Sequence, residues 1–465
     1  MPRLRVAAAI LGVAGLLGAV AWVLAPEKPR PDVVLIVWDT CRADRISATG
    51  YKVDTTPWLR EFARDAVLYE EAYTPAPWTP PAHASMFTGL LPMHHGLLHG
   101  RGDHVDSRIP LLATTLRDAG YETVAITCNS YVSSLTGLDA GFDRLIPIWS
   151  EQEGIGKSPR ALEEVRNWLR DRRPPGSGAK RRPLFLFINL MDTHLPWTPL
   201  PEDVRAVLGG AAPTKDVERA LALTEKDAVA HLLGVKRVDA ATLAGASRAY
   251  DAAMHQLDRA TGEIALRLRA AGILDDAFVA VVGDHGEHLG EHGRMSHQMS
   301  LGREVLHVPM AVRWPGRLDG GRVEKAQVRI QDLYPTILEA ARVPVPAGTG
   351  KDATTLAESP LRSRVHRASF QRPLPFLQEA KNVFGDADPA AFRDFDVSLF
   401  SVQDPADAPH PRKLIVRERA AGDGAAVVAG AEMFDTAADP GETRNLLADP
   451  SPDDRAAVER LRALR

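Results

Sequence analysis

Three apolar runs constrain this chain more than anything else in it. Val33 to Trp38, Leu184 to Leu190 and Phe278 to Val282 are nearly continuous in apolar residues. A strand with one wet face alternates apolar and polar residues; an unbroken run is the mark of a parallel strand buried on both faces. Helical patterns stand between the runs. Leu111 to Ala119 is amphipathic and stops at Gly120, and Ala249 to Ala271 carries Ala253, Leu257, Ile264 and Leu268 as its apolar stripe. Residues 57–73 also read as helical, with Leu59, Phe62, Ala63 and Ala66 on one side. Thr123 to Thr127 and Val308 to Val312 add shorter strands. This alternation predicts an α/β fold with a mostly parallel central sheet and helices on both faces. Ligands of such sheets bind at the carboxyl ends of the strands. Those ends carry Asp39 after the first run, Asp192 and His194 after the second, and Asp284 with His285 after the third, in GDHGEHLGEHG. Asn129 lies just past Thr127.

A second feature is PAPWTPPAHASMFTG, residues 75–89. Thr79 is placed to cap a helix, and Pro80 and Pro81 suit the first helical positions, where a missing N–H costs nothing. Ala82 to Thr88 makes about two turns and Gly89 suits the left-handed stop. The start of that helix turns free N–H groups and a positive dipole end toward Thr79, so an anion is expected beside a hydroxyl.

Composition excludes little and directs more. The 465 residues allow one large α/β domain and a smaller one, and at a net charge of −4 no basic cluster interleaved with aromatics points to nucleic acid. Two cysteines, Cys41 and Cys128, are too few for a disulfide framework and read as buried small residues. Arg3 and Arg5 precede an uncharged run from Val6 to Ala25, long enough to cross a bilayer. Residues 1–25 are therefore expected to be a transmembrane anchor or signal sequence, with attachment to a membrane and an extracytoplasmic (periplasmic or extracellular) body. PEKPRP, residues 26–31, reads as a stiff linker. Residues 32–345 form the expected catalytic domain. Within it, 201–247 is mixed and helical, without legible chemistry. Residues 346–465 form an expected C-terminal α+β subdomain: 346–410 is irregular, Lys413 to Arg417 and Ala425 to Val428 are strand-like, and 452–464 is a charged helix.

The strand ends and the hydroxyl make one chemistry. Two carboxylates, an imidazole and an oxygen suit a divalent cation, with Asp39, Thr79, Asp284 and His285 as ligands and calcium, magnesium, manganese or zinc all compatible. Such a cation activates Thr79 as a nucleophile and offsets the charge of an anionic ester. His194 or His297 is the candidate to protonate the leaving oxygen. Arg42, Asn129 and His83 are the candidates to hold the remaining substrate oxygens.

The blocks DVVLIVWDTCRAD, PWTPPAHASMFTGLLPMHHG, GLDAGFD, MDTHLPWTP, YDAAMHQLD, VVGDHGEHLGEHG, SHQMSLGREVLHVPM and EMFDTAADPGETRNL together resemble the sulfatase family of the alkaline phosphatase superfamily. The resemblance implies an α/β/α sandwich with a small C-terminal domain built on an antiparallel sheet. It implies metal ligands at Asp39, Asp284 and His285, a nucleophile at position 79, and substrate-contacting bases near His194 and His297. Family members carry Cys or Ser in C/S-x-P-x-R and convert it to formylglycine. Here the block is Thr79-Pro80-Pro81-Ala82-His83, so no formylglycine is expected. The second of the family's paired acids is Thr40, and TCNSY stands where Lys-x-His is usual. A threonine nucleophile is similar to the phosphodiesterase, phosphotransferase and lipoteichoic-acid-synthase-like members. The expected activity is metal-dependent hydrolysis of a phosphate mono- or diester through Thr79. The alternatives are a sulfate-ester hydrolase, a phospho-group transferase to lipid or glycan, and a degenerate binding protein.

Overall fold

The apolar runs lack alternation because each strand has two cores to fill. The computed structural model describes residues 29–465 apart from 101, 150–156, 173–180, 386–388 and 421–425. Eight strands make the central sheet: β1 (Val33–Trp38), β2 (Val67–Tyr69), β3 (Glu122–Thr127), β4 (Arg144–Pro147), β5 (Leu184–Leu190), β6 (Phe278–Gly283), β7 (Met310–Arg313) and β8 (Arg322–Glu324). Their spatial order is β8-β2-β7-β6-β1-β5-β3-β4. β1 pairs in parallel with both β5 and β6, whereas β7 runs against its two neighbours. The principal helices are α1 (Thr79–Thr88), α2 (Leu112–Asp118), α3 (Ser158–Asp171), α4 (Ala240–Ala270) and α5 (Leu333–Ala341).

The two faces can be read off β1. Val33, Leu35 and Val37 pack with Phe187 of β5, Phe87 of α1, Leu112 of α2 and Ile337 of α5. Val34, Ile36 and Trp38 pack with Ile188 of β5, Val165 of α3 and Leu257 of α4. The result is an α/β/α sandwich of the alkaline-phosphatase type. The C-terminal part adds a four-stranded antiparallel sheet of β9 (His366–Phe370), β10 (Ser398–Gln403), β11 (Arg412–Ala420) and β12 (Ala426–Asp435), in that order. The helix Pro452–Ala463 closes one face of it, with Ala457 and Leu461 against Leu414, Val416 and Met433.

Several expectations are corrected. Residues 57–73 are not one helix: Pro57–Phe62 is helical, then the chain turns into β2 and a two-residue strand, Ala72–Tyr73. Asp258 of α4 fixes that helix by accepting the N–H groups of Trp58 and Leu59 at 2.7 and 2.9 Å, and the β-prone Val67 and Tyr69 pair with β7 instead. Helix α4 starts nine residues before the expected Ala249, capped by Asp239, which accepts the N–H of Thr242 at 2.9 Å. Gly245, which argues against a helix there, is where the backbone of the helix Lys215–Leu221 comes close: a Cβ would lie 2.2 Å from the Asp216 carbonyl oxygen. Residues 346–410 hold two strands and two helices rather than irregular chain. The membrane expectation is also corrected. Among the described residues no helix is long and apolar enough to cross a membrane, and residues 1–25 lie outside the described residues. Nothing in the described fold supports membrane attachment or an extracytoplasmic location.

Phe187 sits where the sheet meets α1, with ring centroids 5.1 Å from Phe87 and 5.9 Å from His83. Phe187→Ala is expected to cost about 3–5 kcal/mol of stability, read from the denaturant midpoint in equilibrium unfolding.

Candidate active site

The register of β1 against β6 builds the site. Trp38 lies opposite Gly283, so the next residues, Asp39 and Asp284, leave adjacent parallel strands side by side. Both carboxylates are fully buried. Asp284 Oδ1 accepts the N–H groups of His285 and Thr40 at 2.8 and 3.2 Å. Thr40 itself takes a left-handed backbone, φ +56°, which is costly for a β-branched residue. Its hydroxyl donates to the Asp39 carbonyl at 2.7 Å, and Tyr250 of α4 donates to its own carbonyl at 2.7 Å. His285 Nδ1 faces the Gly286 carbonyl at 3.0 Å; a proton held there leaves Nε2 as a free acceptor toward the carboxylates.

Thr79 arrives from α1, and its role there differs from the expected cap. Trp78 occupies the cap position, no side chain caps the helix, and Thr79 is its first residue. The reason is in part covalent. A cap at Thr79 would look for the N–H groups of Pro81, which has none, and of Ala82, which instead donates to the Trp78 carbonyl at 3.3 Å. Pro80 and Pro81 remove most of the donors expected for an anion, leaving chiefly the dipole. The Thr79 hydroxyl is thereby free to face the cluster. Its Oγ1 is 3.3 Å from His285 Nε2 and 3.4 Å from Asp39 Oδ2, and it accepts the amide of Asn129 at 3.1 Å. Asn129 also donates to Asp39 Oδ2 at 2.8 Å.

The other anticipated residues divide. His194 and His297 come to the cluster: the His297 ring is 4.5 Å from that of His285 and 5.3 Å from that of His194. His83 is fully buried one turn into α1, donating to the Thr79 carbonyl at 3.0 Å and lying 3.4 Å from Asp284 Oδ2. Arg42 has no described hydrogen bond to the cluster. Its guanidinium is spent on Asp44, Glu291 and the Glu287 carbonyl. Both cysteines are free and buried.

Three groups escaped the sequence reading. Asn189 donates to Asp39 Oδ2 at 3.5 Å; as the polar residue in an apolar strand it was a visible signal. Glu287 is fully buried, 3.6 Å from His297 Nδ1, with neither oxygen hydrogen-bonded. Lys157 reaches the Met191 and His194 carbonyls, both at 2.8 Å, and so holds the loop that carries His194; nothing in its sequence surroundings announces this.

The donor set fits a divalent cation. Asp39, Asp284 and His285 offer ligand atoms all within 4.8 Å of one another, the one such group among the described residues. Asp39 Oδ1 and Asp284 Oδ2 have no hydrogen-bond partner there, and both turn toward His285 Nε2, at 3.8 and 3.5 Å. Buried carboxylate oxygens left unpartnered are expensive unless a cation meets them. Burial, and next the charge of Asp39, hold the Asp284 carboxyl well above the ordinary carboxylate range. Burial pulls the imidazoles of His83, His285 and His297 downward.

Sandwich, metal-compatible acid–histidine cluster and adjacent hydroxyl define the class of metal-dependent ester hydrolases of the alkaline phosphatase superfamily. Within it the chain belongs to the sulfatase family, whose profile, described as Sulfatase, matches residues 31–343. It is 24% identical to the Arylsulfatase K of Xenopus laevis over 360 residues, 70% of this chain and 65% of that protein. It is 23% identical to an Arylsulfatase of Clostridium perfringens, over 68% of this chain and 76% of the relative. The chain thus spans about two thirds to three quarters of the length of these relatives. Its fold is similar to that of the phosphonate monoester hydrolase of Agrobacterium radiobacter, with a TM-score of 0.70 at 20% identity, over 94% of this chain and 95% of the other.

Two facing carboxylates predict how metal and pH act together. In ion-free protein the raised Asp284 pKa contributes stability below the ordinary carboxylate value and loses it as pH rises through the raised one. The buried histidines, held low, act in the opposite sense, so the Asp284 contribution is read as a difference: relative to chelator-treated Asp284→Asn, the chelator-treated protein is expected to lose melting temperature between about pH 5 and about pH 8. Added divalent ion should restore that loss and leave Asp284→Asn unchanged, all read by thermal unfolding.

Proposed function

We propose that this chain hydrolyses a singly charged ester of a tetrahedral oxyanion, in the first place a sulfate monoester, with Thr79 Oγ1 as the attacking atom. The observation that carries the reading is the charge of the cluster. The polar partners described for Thr79, Asp39 and Asp284 are backbone N–H groups, Asn129, Asn189 and histidines, with no Lys or Arg among them. Two carboxylates balance one divalent ion, and histidines drawn toward neutrality add little positive charge. A monoanion suits such a site better than a phosphate monoester dianion. The names of the similar arylsulfatases favour sulfate among the monoanions.

Each residue then has a task. Asp39 Oδ2 accepts the Thr79 proton as the hydroxyl attacks the central atom. The Asn129 amide, donating to Oγ1, holds the oxygen in line and takes up the negative charge that develops on it. His194 gives a proton to the departing ester oxygen; being half-buried, it exchanges that proton with solvent. His297 holds a non-reacting oxygen. Water, giving a proton to His194, then attacks the central atom, the bond to Thr79 Oγ1 breaks, and Oγ1 takes back its proton from Asp39. A bound divalent cation supplies Lewis acidity, lowering the hydroxyl's pKa and offsetting substrate charge.

A second reading, a phosphodiester or phosphonate monoester, is favoured by position 79 itself. Without formylglycine, the group on Thr79 must be displaced at its central atom. Phosphorus accepts that displacement readily, and a phosphonate monoester hydrolase shares the fold.

The test is a panel of aryl sulfate, aryl phosphodiester, aryl phosphonate monoester and aryl phosphate monoester on metal-loaded protein. The sulfate is expected to turn over fastest, with Thr79→Ala inactive throughout. Fastest turnover of a phosphorus monoanion supports the second reading, and preference for the phosphate monoester overturns the charge argument. His194→Ala is expected to slow esters of poor leaving groups by about 10²–10⁴-fold and activated aryl esters far less, read as the change in kcat across a leaving-group series.

A further inference from the structure

Beside the cluster the chain builds a second cavity that the chemistry above does not use. It is a slot of about 100 Å³ whose walls include Trp78, Tyr131, Gln298, Phe370, Phe376 and Glu379. Three of these are tethered to the site. Trp78 precedes Thr79, Gln298 follows His297, and the N–H of Tyr131 donates to Asn129 Oδ1 at 2.9 Å. The other wall comes from the C-terminal part: Phe370 ends β9, and Phe376 lies in the helix Leu374–Val383. The ring of Trp78 meets both walls edge-on, 6.1 Å from Tyr131 and 6.4 Å from Phe370. Trp78, Tyr131 and Phe376 are only half-buried, so part of each ring stays open.

Charge narrows the occupant. Among the described residues of this wall none is Lys or Arg, and Glu379 adds an acid at the rim. His99, on the same wall, already bonds Asp103 and the Arg372 carbonyl, both at 2.9 Å. A polyanionic glycan would meet no cation among these described residues. A flat, uncharged ring would stack and exclude water on several aromatic faces.

We infer that this slot holds the alcohol half of the substrate and selects a flat, uncharged aromatic or fused-ring alcohol against sulfated sugars. The inference rests on the ester-hydrolase reading for its place in the reaction, but not for its test. The full chain is titrated with 2-naphthol, which has no ester to cleave, by calorimetry. Saturable one-to-one binding is expected, weakened about tenfold in Phe376→Ala and recovered in Phe376→Trp. Phe376 is half-buried, so its replacement leaves the core intact; Tyr131→Ala provides a second variant, from the opposite wall, with the same expected loss. Absence of saturable binding, equal binding by Phe376→Ala and Tyr131→Ala, or displacement of naphthol by a sulfated disaccharide at lower concentration overturns the inference. Naphthol binding without hydrolysis of any ester leaves the slot standing and removes the proposed activity. Hydrolysis without naphthol binding does the reverse.

Discussion

The parallel pairing of β1 with β6 is the constraint on which the site depends. It sets two carboxylates next to each other at the sheet's carboxyl edge, away from water. Like charges so close in a low-dielectric place cannot both ionise without a compensating cation. The surroundings are arranged around that demand. Asn129 and Asn189 donate to one oxygen of Asp39, two backbone N–H groups donate to one oxygen of Asp284, and in each acid the other oxygen is left without a partner. The left-handed turn at Thr40 is part of the same arrangement, with its N–H on Asp284 and its strain held by bonds to the Asp39 carbonyl and to Tyr250 of α4.

Helix α1 contributes a hydroxyl rather than an anion cradle. Two prolines strip the first turn of N–H groups, and the threonine before them is released from capping duty. Positive charge beside the carboxylates must then come chiefly from the ion, with Lys157 held back behind the loop that carries His194. That makes the cluster milder than one lined with Arg or Lys, and it is the physical ground for expecting a monoanion.

Segments far along the chain complete the surroundings. Glu225, which opens the helix Glu225–Leu232, accepts the Ser296 hydroxyl at 2.9 Å beside His297. The C-terminal sheet is tied down by a buried pair: Lys413 donates to Glu442 at 2.7 Å, and Glu442 accepts the N–H of Arg303 at 3.2 Å. That attachment brings the Phe370 and Phe376 wall to a core whose chemistry was set by earlier strands.

Much of this was legible in the residues. Unbroken apolar runs required strands buried on both faces, and an acid at the end of each run placed a ligand at the sheet's edge. Asp39, Asp284 and His285 were therefore readable, as was Thr79 as a hydroxyl beside a helix start. The long helix was readable from its stripe but not in its extent, because the close approach that explains Gly245 is made by residues about thirty positions away. Residues 57–73 misled for the same reason: local spacing suited a helix, while pairing with a distant strand decided otherwise. Arg42 stood in the right block, yet only the fold showed its guanidinium closed on two acids and a carbonyl. Lys157 and Glu287 had no local signature. The sequence by itself determined the layered fold and the kinds of ligand at the strand ends, since burial on two faces dictates composition along a strand. The tertiary structure alone decided which polar groups meet, because hydrogen bonds and charge pairs depend on distances across the sheet that no spacing along the chain encodes.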